Sequence, residues 1–346
     1  MIYGANGYTG RLIAQEAVAR GMRPTLAGRN SRQIKALAEE LDCEFRVFPL
    51  SKPPRVAEEI VGTAILLNCA GPFSATAVPM MEACLGSGTH YLDITGEIDV
   101  IEAAAAMHDR AALAATRLIP AVGFDVVPSD CLAAMLHQQL PTASRLQLGF
   151  TGSLRISPGT ACTALEVFGR GGRERRDGRI VRTPIAAKSL EIPFREGRGS
   201  AVLVPWGDVA SAYYTTGIGN IETYMAMPAQ QIEQLRRAGP LLSLAGRWPI
   251  RPLLSRMIRR RMPGPSLEDR QTLRGSLWAR MSDDAGRAVE ATLETPEPYQ
   301  TTVLTALACV ERLLVDRSVR AGFSTPAQTF GAEFILAIPG TEYRLA

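Results

Sequence analysis

Three glycines near the start of the chain have a spacing that suits phosphate binding. They lie between a short apolar run and an amphipathic helical pattern, in the motif Gly4-Ala5-Asn6-Gly7-Tyr8-Thr9-Gly10. Gly4 would permit a tight turn, Gly7 a close approach of the backbone to a pyrophosphate, and Gly10 close helix packing. The amides and the positive dipole end of the following helix would meet the phosphates. We therefore expect every residue of this motif except Ala5 to bind a dinucleotide. The alternative is a glycine-rich turn without a ligand.

The residues after the second apolar run indicate which dinucleotide is bound. A site that prefers NAD would place Asp or Glu there for the ribose 2′-hydroxyl, whereas this sequence reads Ala27-Gly28-Arg29-Asn30. The Arg29 guanidinium can form charge-assisted hydrogen bonds to a 2′-phosphate and can stack on adenine. The pattern predicts NADP(H), with Arg29 and Asn30 among the residues that bind it. A merely solvated Arg29 is the alternative.

A third segment follows the fourth apolar run and reads Asn68-Cys69-Ala70-Gly71-Pro72-Phe73. In a parallel sheet this position is the edge where the cofactor lies. Gly71 and Pro72 would form a close backbone wall against the ribose or the nicotinamide. We therefore expect cofactor contacts from Cys69, Ala70, Gly71, Pro72 and Phe73. A simple strand-to-helix turn is the alternative.

Two further segments carry the acidic candidates, Tyr91-Leu92-Asp93-Ile94-Thr95-Gly96-Glu97 and Gly123-Phe124-Asp125-Val126-Val127-Pro128. Both follow strand ends at the same edge, so we expect them to converge. The predicted cofactor contacts here are Thr95, Gly96, Gly123 and Phe124. Asp93, Glu97 and Asp125 are acid/base candidates because partial desolvation raises the pKa of a carboxyl group, and we choose Glu97 and Asp125 as catalytic. Each carboxylate could equally cap a helix or orient a loop.

Apolar β-type runs alternate with helical patterns over residues 1–127, which is typical of a parallel sheet covered on both faces. The predicted strands are 1–3, 24–27, 43–48, 64–69, 91–94 and 118–121. The predicted helices are 8–20, 31–41, 54–61, 77–87 and 100–116. We expect Ser31 to cap its helix, and Gly21 and Gly88 to stand at helix ends. This pattern predicts an α/β fold with a doubly wound, Rossmann-type sheet.

The pattern changes after Gly123. Residues 128–300 mix β-type runs with loops and predict an α+β domain for substrate binding or dimerisation. Residues 169–182 are rich in glycine and arginine and predict a mobile surface loop, with a lid over the cofactor left open. Residues 283–286 lie between two β-type runs and predict a hairpin. The helical pattern at 301–315 predicts a C-terminal segment, 301–346, that packs back on the first domain.

Composition narrows the functional classes. The net charge is +4 with no long single-sign run, which does not indicate a nucleic-acid surface. The six cysteines and three histidines show no metal-binding spacing, so we expect no metal. No leader pattern and no apolar stretch long enough to span a bilayer is present, and we expect a cytoplasmic protein. Residues 241–261 combine apolar side chains with arginines. They suit either a helix pair that packs between domains or weak peripheral contact with the inner face of a membrane.

Together these motifs resemble the saccharopine dehydrogenase-like oxidoreductases, and the resemblance extends over residues 1–130. The tail is also similar, at 264–270 and 323–331, in particular to the trans-acting enoyl reductase branch. The resemblance implies an NADP-binding Rossmann domain, a second α+β domain and a terminal helix packed on the first. The chain starts inside the first strand, so Met1 could be a late start. The cationic residues that saccharopine-forming enzymes use to hold a dicarboxylate amino acid cannot be mapped, which argues against such a substrate.

Two functions remain. The first is a reductase that delivers hydride from NADPH to an activated C=C, C=N or C=O bond of a small or lipid-linked substrate, bound between the domains. The second is an NADP(H)-binding partner protein without catalysis of its own; a homodimer is compatible with both. A short-chain dehydrogenase is excluded because the sequence has no Tyr-x-x-x-Lys pair.

Overall fold

The computed structural model describes residues 1–151, 157, 159, 161–162, 171–194, 197–245, 264–316 and 318–346, with backbone alone for 239–245. The strands are β1 Ile2–Tyr3, β2 Leu26–Gly28, β3 Phe45–Val47, β4 Ile65–Asn68, β5 His90–Asp93, β6 Arg117–Ile119, β7 Arg145–Thr151, β8 Gly172–Arg176, β9 Arg179–Thr183, β10 Ser189–Phe194, β11 Gly197–Leu203, β12 Asn220–Ala226, β13 Arg274–Ser282, β14 Ala288–Pro296, β15 Gly322–Phe323 and β16 Glu342–Leu345. The helices are α1 Tyr8–Ala19, α2 Ser31–Leu41, α3 Pro53–Ile60, α4 Phe73–Ser87, α5 Ile98–Ala106, α6 His108–Leu113, α7 Val127–Gln139, α8 Asp208–Thr216, α9 Ala229–Ala245, α10 Leu267–Thr272, α11 Pro298–Val315 and α12 Pro326–Phe330.

The chain divides into two compact units. Unit 1 combines Met1–Val127 with Thr301–Phe330, and unit 2 combines Pro128–Gln300 with Gly331–Ala346. The expected C-terminal segment, 301–346, is therefore shared between the units. Strand β15 pairs with β6 in unit 1, whereas β16 pairs with β14 in unit 2. The prediction that the whole segment packs on the first domain is wrong for residues 331–346, because their strand completes the other sheet.

Unit 1 is built on a parallel sheet in the order β15-β6-β5-β4-β1-β2-β3. The six predicted strands all form, and the Rossmann-type fold is confirmed. The order reverses between β1 and β4, which is where open α/β sheets bind their ligands. Apolar side chains on the sheet and its helices make the core, among them the fully buried Leu66, Tyr91, Met80 and Leu118. The sequence analysis missed β15, since a two-residue strand leaves no periodic pattern.

Several helix ends differ from the predictions. Asn30, not Ser31, caps α2, because its side chain accepts a hydrogen bond from the Gln33 amide. Gly21 and Gly88 stand just beyond helix ends at φ 81° and 72°, as predicted. The predicted helix 100–116 consists of two helices, α5 and α6. Helix α5 ends at Ala106, where the Met107 amide donates to the carbonyl of Ala104, three residues back, instead of to the carbonyl four residues back.

Unit 2 contains a mixed sheet in the order β10-β11-β12-β7-β13-β14-β16, with the β8–β9 hairpin attached to β12. Strands β7 and β12 run parallel, and β13 pairs antiparallel with both β7 and β14. The hairpin predicted around residues 283–286 is confirmed by this last pair. One face of the sheet carries an apolar cluster that includes Ile192, Leu203, Tyr224 and Trp278.

The described part of the predicted surface loop 169–182 forms the β8–β9 hairpin, so a mobile loop is the wrong interpretation for it. Two residues with positive φ, Asp177 at 48° and Gly178 at 76°, make the turn. The strand was hidden in the sequence because its buried positions are charged. Glu174 and Arg175 are 1% and 5% exposed, so the apolar alternation that marks a strand is absent.

The membrane interpretation of residues 241–261 largely falls outside the described residues. Positions 246–261 are not described, and only the backbone is described for 241–245. Among the described residues, no helix has both the length and the apolar character needed to cross a membrane. Peripheral contact by this segment stays a prediction.

Candidate functional site

Five loops follow the carboxyl ends of strands β2, β1, β4, β5 and β6, and side chains or backbone join each loop to the next. The side-chain Oδ1 of Asn6 lies 3.0 Å from the point that a Cβ on Gly28 would occupy, so the β1 and β2 loops are in contact. A Cβ on Gly4 would lie 2.8 Å from the Ala70 nitrogen, which joins the β1 and β4 loops. The edge predicted from the sequence therefore exists as one continuous row of loops.

The glycine motif has the backbone that its residue types predict. Gly4 adopts φ 80°, a conformation that favours glycine. A Cβ on Gly10 would lie 2.4 Å from the Gly4 carbonyl oxygen, so Gly10 allows α1 to pack against the turn, as predicted. At Gly7 a Cβ would meet only that same oxygen, at 3.2 Å, which leaves the other side of this residue open. Gly7 is the N-cap of α1 and has no side chain to occupy the first amides of the helix.

The β2 loop presents Arg29 to solvent. Its side chain is exposed, and Asn30 beside it is exposed as well. The side-chain oxygen of Asn30 caps α2 by accepting a hydrogen bond from the Gln33 backbone amide. The side-chain amide of Asn6 donates to the side-chain oxygen of Gln33 at 2.8 Å. Arg29 is therefore held at the start of a capped helix, at the end of the edge farthest from Asp125.

The β4 loop exposes backbone. A Cβ on Gly71 would touch only the Phe73 ring, at 3.7 Å, so another group can approach this residue closely. The Gly71–Pro72 peptide bond is cis. The Ala70 amide donates to the Asn68 side chain at 3.1 Å, which fixes the start of the loop. Burial raises the pKa of the Cys69 thiol well above its usual range, so Cys69 is not a thiolate nucleophile at neutral pH.

Glu97 holds the beginning of helix α4. Its two carboxylate oxygens accept hydrogen bonds from the amides of Phe73 and Ser74, each at 2.8 Å. Glu97 is 8% exposed. A carboxylate at a helix N-terminus satisfies amides that have no acceptor within the helix. Of the two roles that the sequence left open for Glu97, the geometry shows the helix-capping one, and it ties the β5 loop to the β4 loop.

Asp93 ties the β5 loop to the β6 loop. One carboxylate oxygen accepts from the amides of Ala121 and Thr95, at 2.8 Å and 3.0 Å, and the other accepts from the Tyr91 hydroxyl at 2.7 Å. The side chain is fully buried, and burial raises its pKa to about 6. Asp93 thus orients loops, the second role that the sequence allowed it.

Asp125 lies beside Gly96 at the end of the edge. A Cβ on Gly96 would lie 2.8 Å from one carboxylate oxygen of Asp125, so the β5 and β6 loops are in contact, as predicted. Asp125 and Gly96 are both partly exposed. Burial raises the pKa of Asp125 to about 7. Asp125 therefore combines partial accessibility with a pKa near neutrality.

Three of the predicted cofactor contacts have structural roles. The hydroxyl of the buried Thr95 accepts a hydrogen bond from the Glu97 amide at 3.0 Å. Gly123 lies against Thr302 of α11, where a Cβ would come within 3.0 Å of the threonine methyl. The buried Phe124 donates its amide to the Thr302 hydroxyl at 3.0 Å. Gly96 and Asp125, rather than these three residues, offer accessible surface at the end of the edge.

The sequence analysis overlooked α11 as a support of the edge. Thr305 donates its hydroxyl to the Val122 carbonyl at 2.9 Å, one turn after Thr302 meets Phe124. The signal was a set of threonines, Thr301, Thr302 and Thr305, among the buried residues of a helix whose other buried residues are apolar. Within the described part of the chain, no group of three or more His, Cys, Asp or Glu side chains is placed to hold a metal ion. The absence of a metal stays a prediction.

This row of loops at the switch point of a doubly wound sheet is the arrangement of a dinucleotide-binding domain. Comparison with known proteins identifies its type. Residues 1–119 match the family described as saccharopine dehydrogenase NADP binding domain. These residues therefore resemble the NADP-binding domain of saccharopine dehydrogenases, which confirms the resemblance stated from the motifs for this part of the chain.

Curated relatives match part of the chain. The trans-acting enoyl reductase of Mycobacterium ulcerans is 32% identical over 147 residues, which is 40% of this chain and 35% of that protein. The protein of the same name from Mycobacterium leprae is 32% identical over 151 residues, again 40% of this chain and 35% of its own length. The matches thus span about a third of these relatives' length.

Two solved structures share the fold. Apo saccharopine dehydrogenase (L-Glu forming) from Saccharomyces cerevisiae has a TM-score of 0.64 at 9% identity, over 100% of this chain and 99% of that chain. Homospermidine synthase from Legionella pneumophila, in complex with NAD, has a TM-score of 0.63 at 9% identity, over 100% of this chain and 90% of that chain. At this sequence identity the similarity concerns the fold alone, and it confirms the predicted fold class.

Proposed function

We propose that this protein is an NADPH-dependent reductase that transfers hydride to an activated C=C, C=N or C=O bond. The observation that carries the proposal is the partly exposed Asp125, whose pKa burial raises to about 7, on the ligand-binding edge of a domain that matches an NADP-binding family. A group that titrates near neutrality can both give and take a proton at the working pH. Reduction of such a bond needs one hydride and one proton, and Asp125 is the proton donor.

The glycine turn fits a pyrophosphate because the open side of Gly7 and the uncapped first amides of α1 belong to the same turn. Arg29, exposed at the end of β2, binds the 2′-phosphate. Asn6, Tyr8, Thr9 and Asn30 lie around these two positions. Backbone of the β4 loop at Gly71 and Pro72, and of the β5 loop at Gly96, lines the nicotinamide half. When bound, NADPH supplies the hydride.

Glu97 acts as a positioning residue. Its carboxylate fixes Phe73 and Ser74, and so fixes the segment that begins at Gly71. Asp93 fixes the loop that carries Asp125 through the Ala121 amide. With both loops held by buried hydrogen bonds, the Asp125 carboxyl group stays in place while its proton passes to the reduced substrate. Water then returns a proton to Asp125.

The name of the mycobacterial relatives, trans-acting enoyl reductase, supports a C=C acceptor conjugated to an acyl group. We therefore propose an α,β-unsaturated acyl substrate, small or lipid-linked, ahead of the C=N and C=O classes. A role as an NADP(H)-binding partner without catalysis is the second candidate. It is favoured if the protein binds NADPH but consumes none of it with any of the three acceptor classes.

Cofactor titration tests the first step of the proposal. We expect the wild type to bind NADPH more tightly than NADH, and Arg29→Ala to weaken NADPH binding by about 1.5–3 kcal/mol, the range for a lost charge-assisted hydrogen bond. NADH binding should change little. Arg55→Ala, an exposed arginine on α3, is the matched control. Equal affinities of the wild type for the two cofactors would refute the assignment of Arg29.

Turnover tests the second step. Purified protein is mixed with NADPH and an α,β-unsaturated thioester, an imine or a ketone, and the loss of NADPH absorbance is followed. We expect consumption with the thioester, with a saturated thioester as the product. Tight NADPH binding without consumption in all three arms would refute the reductase and leave the partner role.

A further inference from the structure

A cavity of about 370 Å³ lies within unit 2. Its floor is one face of the mixed sheet. Gln147 of β7 lies opposite Glu222 of β12 and Arg280 of β13 in the strand register, so these three side chains share that face. The walls include Glu174 and Arg176 of β8 and Lys188 just before β10. This volume suits a small molecule, since ligand pockets of proteins begin at about 300 Å³.

The carboxylates of the cavity are already neutralised. Lys188 Nζ lies 2.6 Å from Glu174 and also bonds to Glu222, and Arg176 bonds to Glu174. Gln147 and the Tyr224 hydroxyl donate to the other oxygen of Glu222, at 3.0 Å and 2.7 Å. These pairs lower the pKa of Glu222 and raise that of Lys188, so the group is ionised and internally balanced at neutral pH.

The cations of the cavity outnumber its carboxylates. Five cationic side chains and two carboxylates line it, the cations being Arg145, Arg175, Arg176, Lys188 and Arg280. Arg145 and Arg280 are diagonal neighbours on the same sheet face, because Arg145 pairs with Ser282 and Arg280 with Gln147. Diagonal positions on paired strands are roughly 7–8 Å apart, which lets both guanidinium groups reach one ligand.

The partners of these two arginines lie outside the cavity lining and hold them weakly. Arg145 is 3.7 Å from Asp284, and their side chains are 63% and 78% exposed. Arg280 is 3.3 Å from Glu290, with 48% and 32% exposed. Exposed ion pairs of this kind contribute little to stability. Both guanidinium groups can therefore exchange a surface carboxylate for an anionic ligand at small cost.

We propose that this cavity binds a small anion with two or more negative charges, gripped between Arg145 and Arg280. Phosphate and carboxylate groups share the planar, bidentate recognition by arginine that the two side chains offer. The ligand is thus a phosphate ester or a polycarboxylate of metabolite size. Glu174, Lys188 and Glu222, whose charges balance when Arg176 is included, form the polar wall behind it. This site does not depend on the proposed reductase function.

Calorimetric titration of the 346-residue chain tests the proposal, with pyrophosphate and citrate as probes at constant ionic strength. We expect one of the two to bind at a single site, and the tighter one identifies the anion class. Arg145→Gln/Arg280→Gln should weaken that binding by at least about tenfold, which corresponds to ~1.4 kcal/mol. Arg198→Gln, an exposed arginine on β11 that does not line the cavity, is the control and should bind as the wild type does.

NADPH is itself a polyanion, so the nucleotide-binding edge is a competing site for both probes. Arg29→Ala separates the two: probe binding that is lost in Arg29→Ala but kept in the double variant belongs to unit 1 and overturns the proposal. Absence of binding by both probes also overturns it, as does unchanged affinity in the double variant. If the double variant melts below the wild type, Arg145→Gln alone, with a side chain 63% exposed, provides the comparison.

Discussion

Two sets of carboxylates, Asp93 and Glu97 on the edge of unit 1 and Glu174 and Glu222 in the cavity of unit 2, have different hydrogen-bond partners. In unit 1, Asp93 and Glu97 accept hydrogen bonds from neutral donors, chiefly the backbone amides of neighbouring loops. In unit 2, Glu174 and Glu222 are held by Lys188 and Arg176. The first arrangement fixes loops and the second balances charge.

The difference has an electrostatic consequence. Amides that stabilise a carboxylate offset only part of the cost of removing it from water, so burial raises the pKa of Asp93 to about 6. Glu222 is less buried, and hydrogen bonds from Gln147, Lys188 and Tyr224 together with the charge of Lys188 lower its pKa. On the edge of unit 1, the raised pKa values of Asp93 and Asp125 allow these two carboxyl groups to change protonation near neutral pH, as a proton-transferring site requires.

The largest effect is expected from Asp125→Asn, which keeps the shape of the side chain and removes its titration. We expect the kcat of NADPH-dependent reduction to fall by about 10²–10⁴, the usual contribution of a general acid or base. NADPH affinity should stay close to that of the wild type. Single-turnover kinetics over pH 5–9 provide the measurement, and the pH dependence near pH 7 should disappear in the variant.

A control distinguishes a lost proton donor from a damaged fold. Asp109→Asn alters an exposed aspartate on α6 of the same unit and should keep the wild-type rate. If Asp125→Asn retains the full kcat and its pH dependence, the proton comes from another group, and Asp125 has no part in the reaction.

The second effect concerns Glu97, which we expect to matter for structure before chemistry. Glu97→Ala leaves the buried amides of Phe73 and Ser74 without their acceptor and should lower the free energy of unfolding by about 3 kcal/mol. Glu97→Gln keeps one acceptor oxygen and should recover part of this loss. Glu58→Ala, exposed on α3, should change the stability by less than about 0.5 kcal/mol. Urea unfolding measures all three.

The opposite result would restore the catalytic assignment of Glu97. A Glu97→Ala protein with wild-type unfolding free energy and NADPH affinity, but without turnover, would show that the carboxylate acts on the substrate. Loss of stability together with weaker NADPH binding, and partial rescue of both by Gln, would support its role in holding α4.

The sequence predicted the ligand-binding edge well because each of its motifs follows a strand, and parallel strands end at one edge. Gly4 and Gly10 could be assigned separate roles since their missing side chains have different steric consequences. The roles of Asp93, Glu97 and Asp125 could not be separated in the same way. Whether a carboxylate meets an amide or solvent depends on loops that are distant in sequence, such as the Phe73 amide that Glu97 binds from 24 positions away.

The charged cavity of unit 2 escaped the sequence analysis for a related reason. Its cations come from β7, β8, β13 and the residue Lys188, so no local cluster marks them. The buried charges of Glu174 and Arg175 also hid strand β8, since a strand is read from apolar alternation. The cations of the cavity become visible as a set only when the strand register brings Arg145 and Arg280 to one face.

The last effect is the opposite pH response of the two regions, in which each unit of pKa shift corresponds to about 1.4 kcal/mol. The folded-state pKa of Asp125, about 7, is above its unfolded value of 3.8, so the folded protein binds the extra proton and loses stability as the pH rises from about 4 to 7. As the pH rises over that range, Asp125→Asn should therefore become more stable relative to the wild type.

The folded-state pKa of Glu222 is lowered below 4.5, so the contribution of Glu222 to stability is present above that pH and is lost in acid. Glu222→Gln should accordingly cost most at neutral pH and progressively less below pH 4.5. Thermal melts of the wild type and both variants between pH 3.5 and 7.5 would measure the two trends. Parallel trends in the two variants would mean that the pKa values of Asp125 and Glu222 are shifted in the same direction, and the contrast between the two regions would fail.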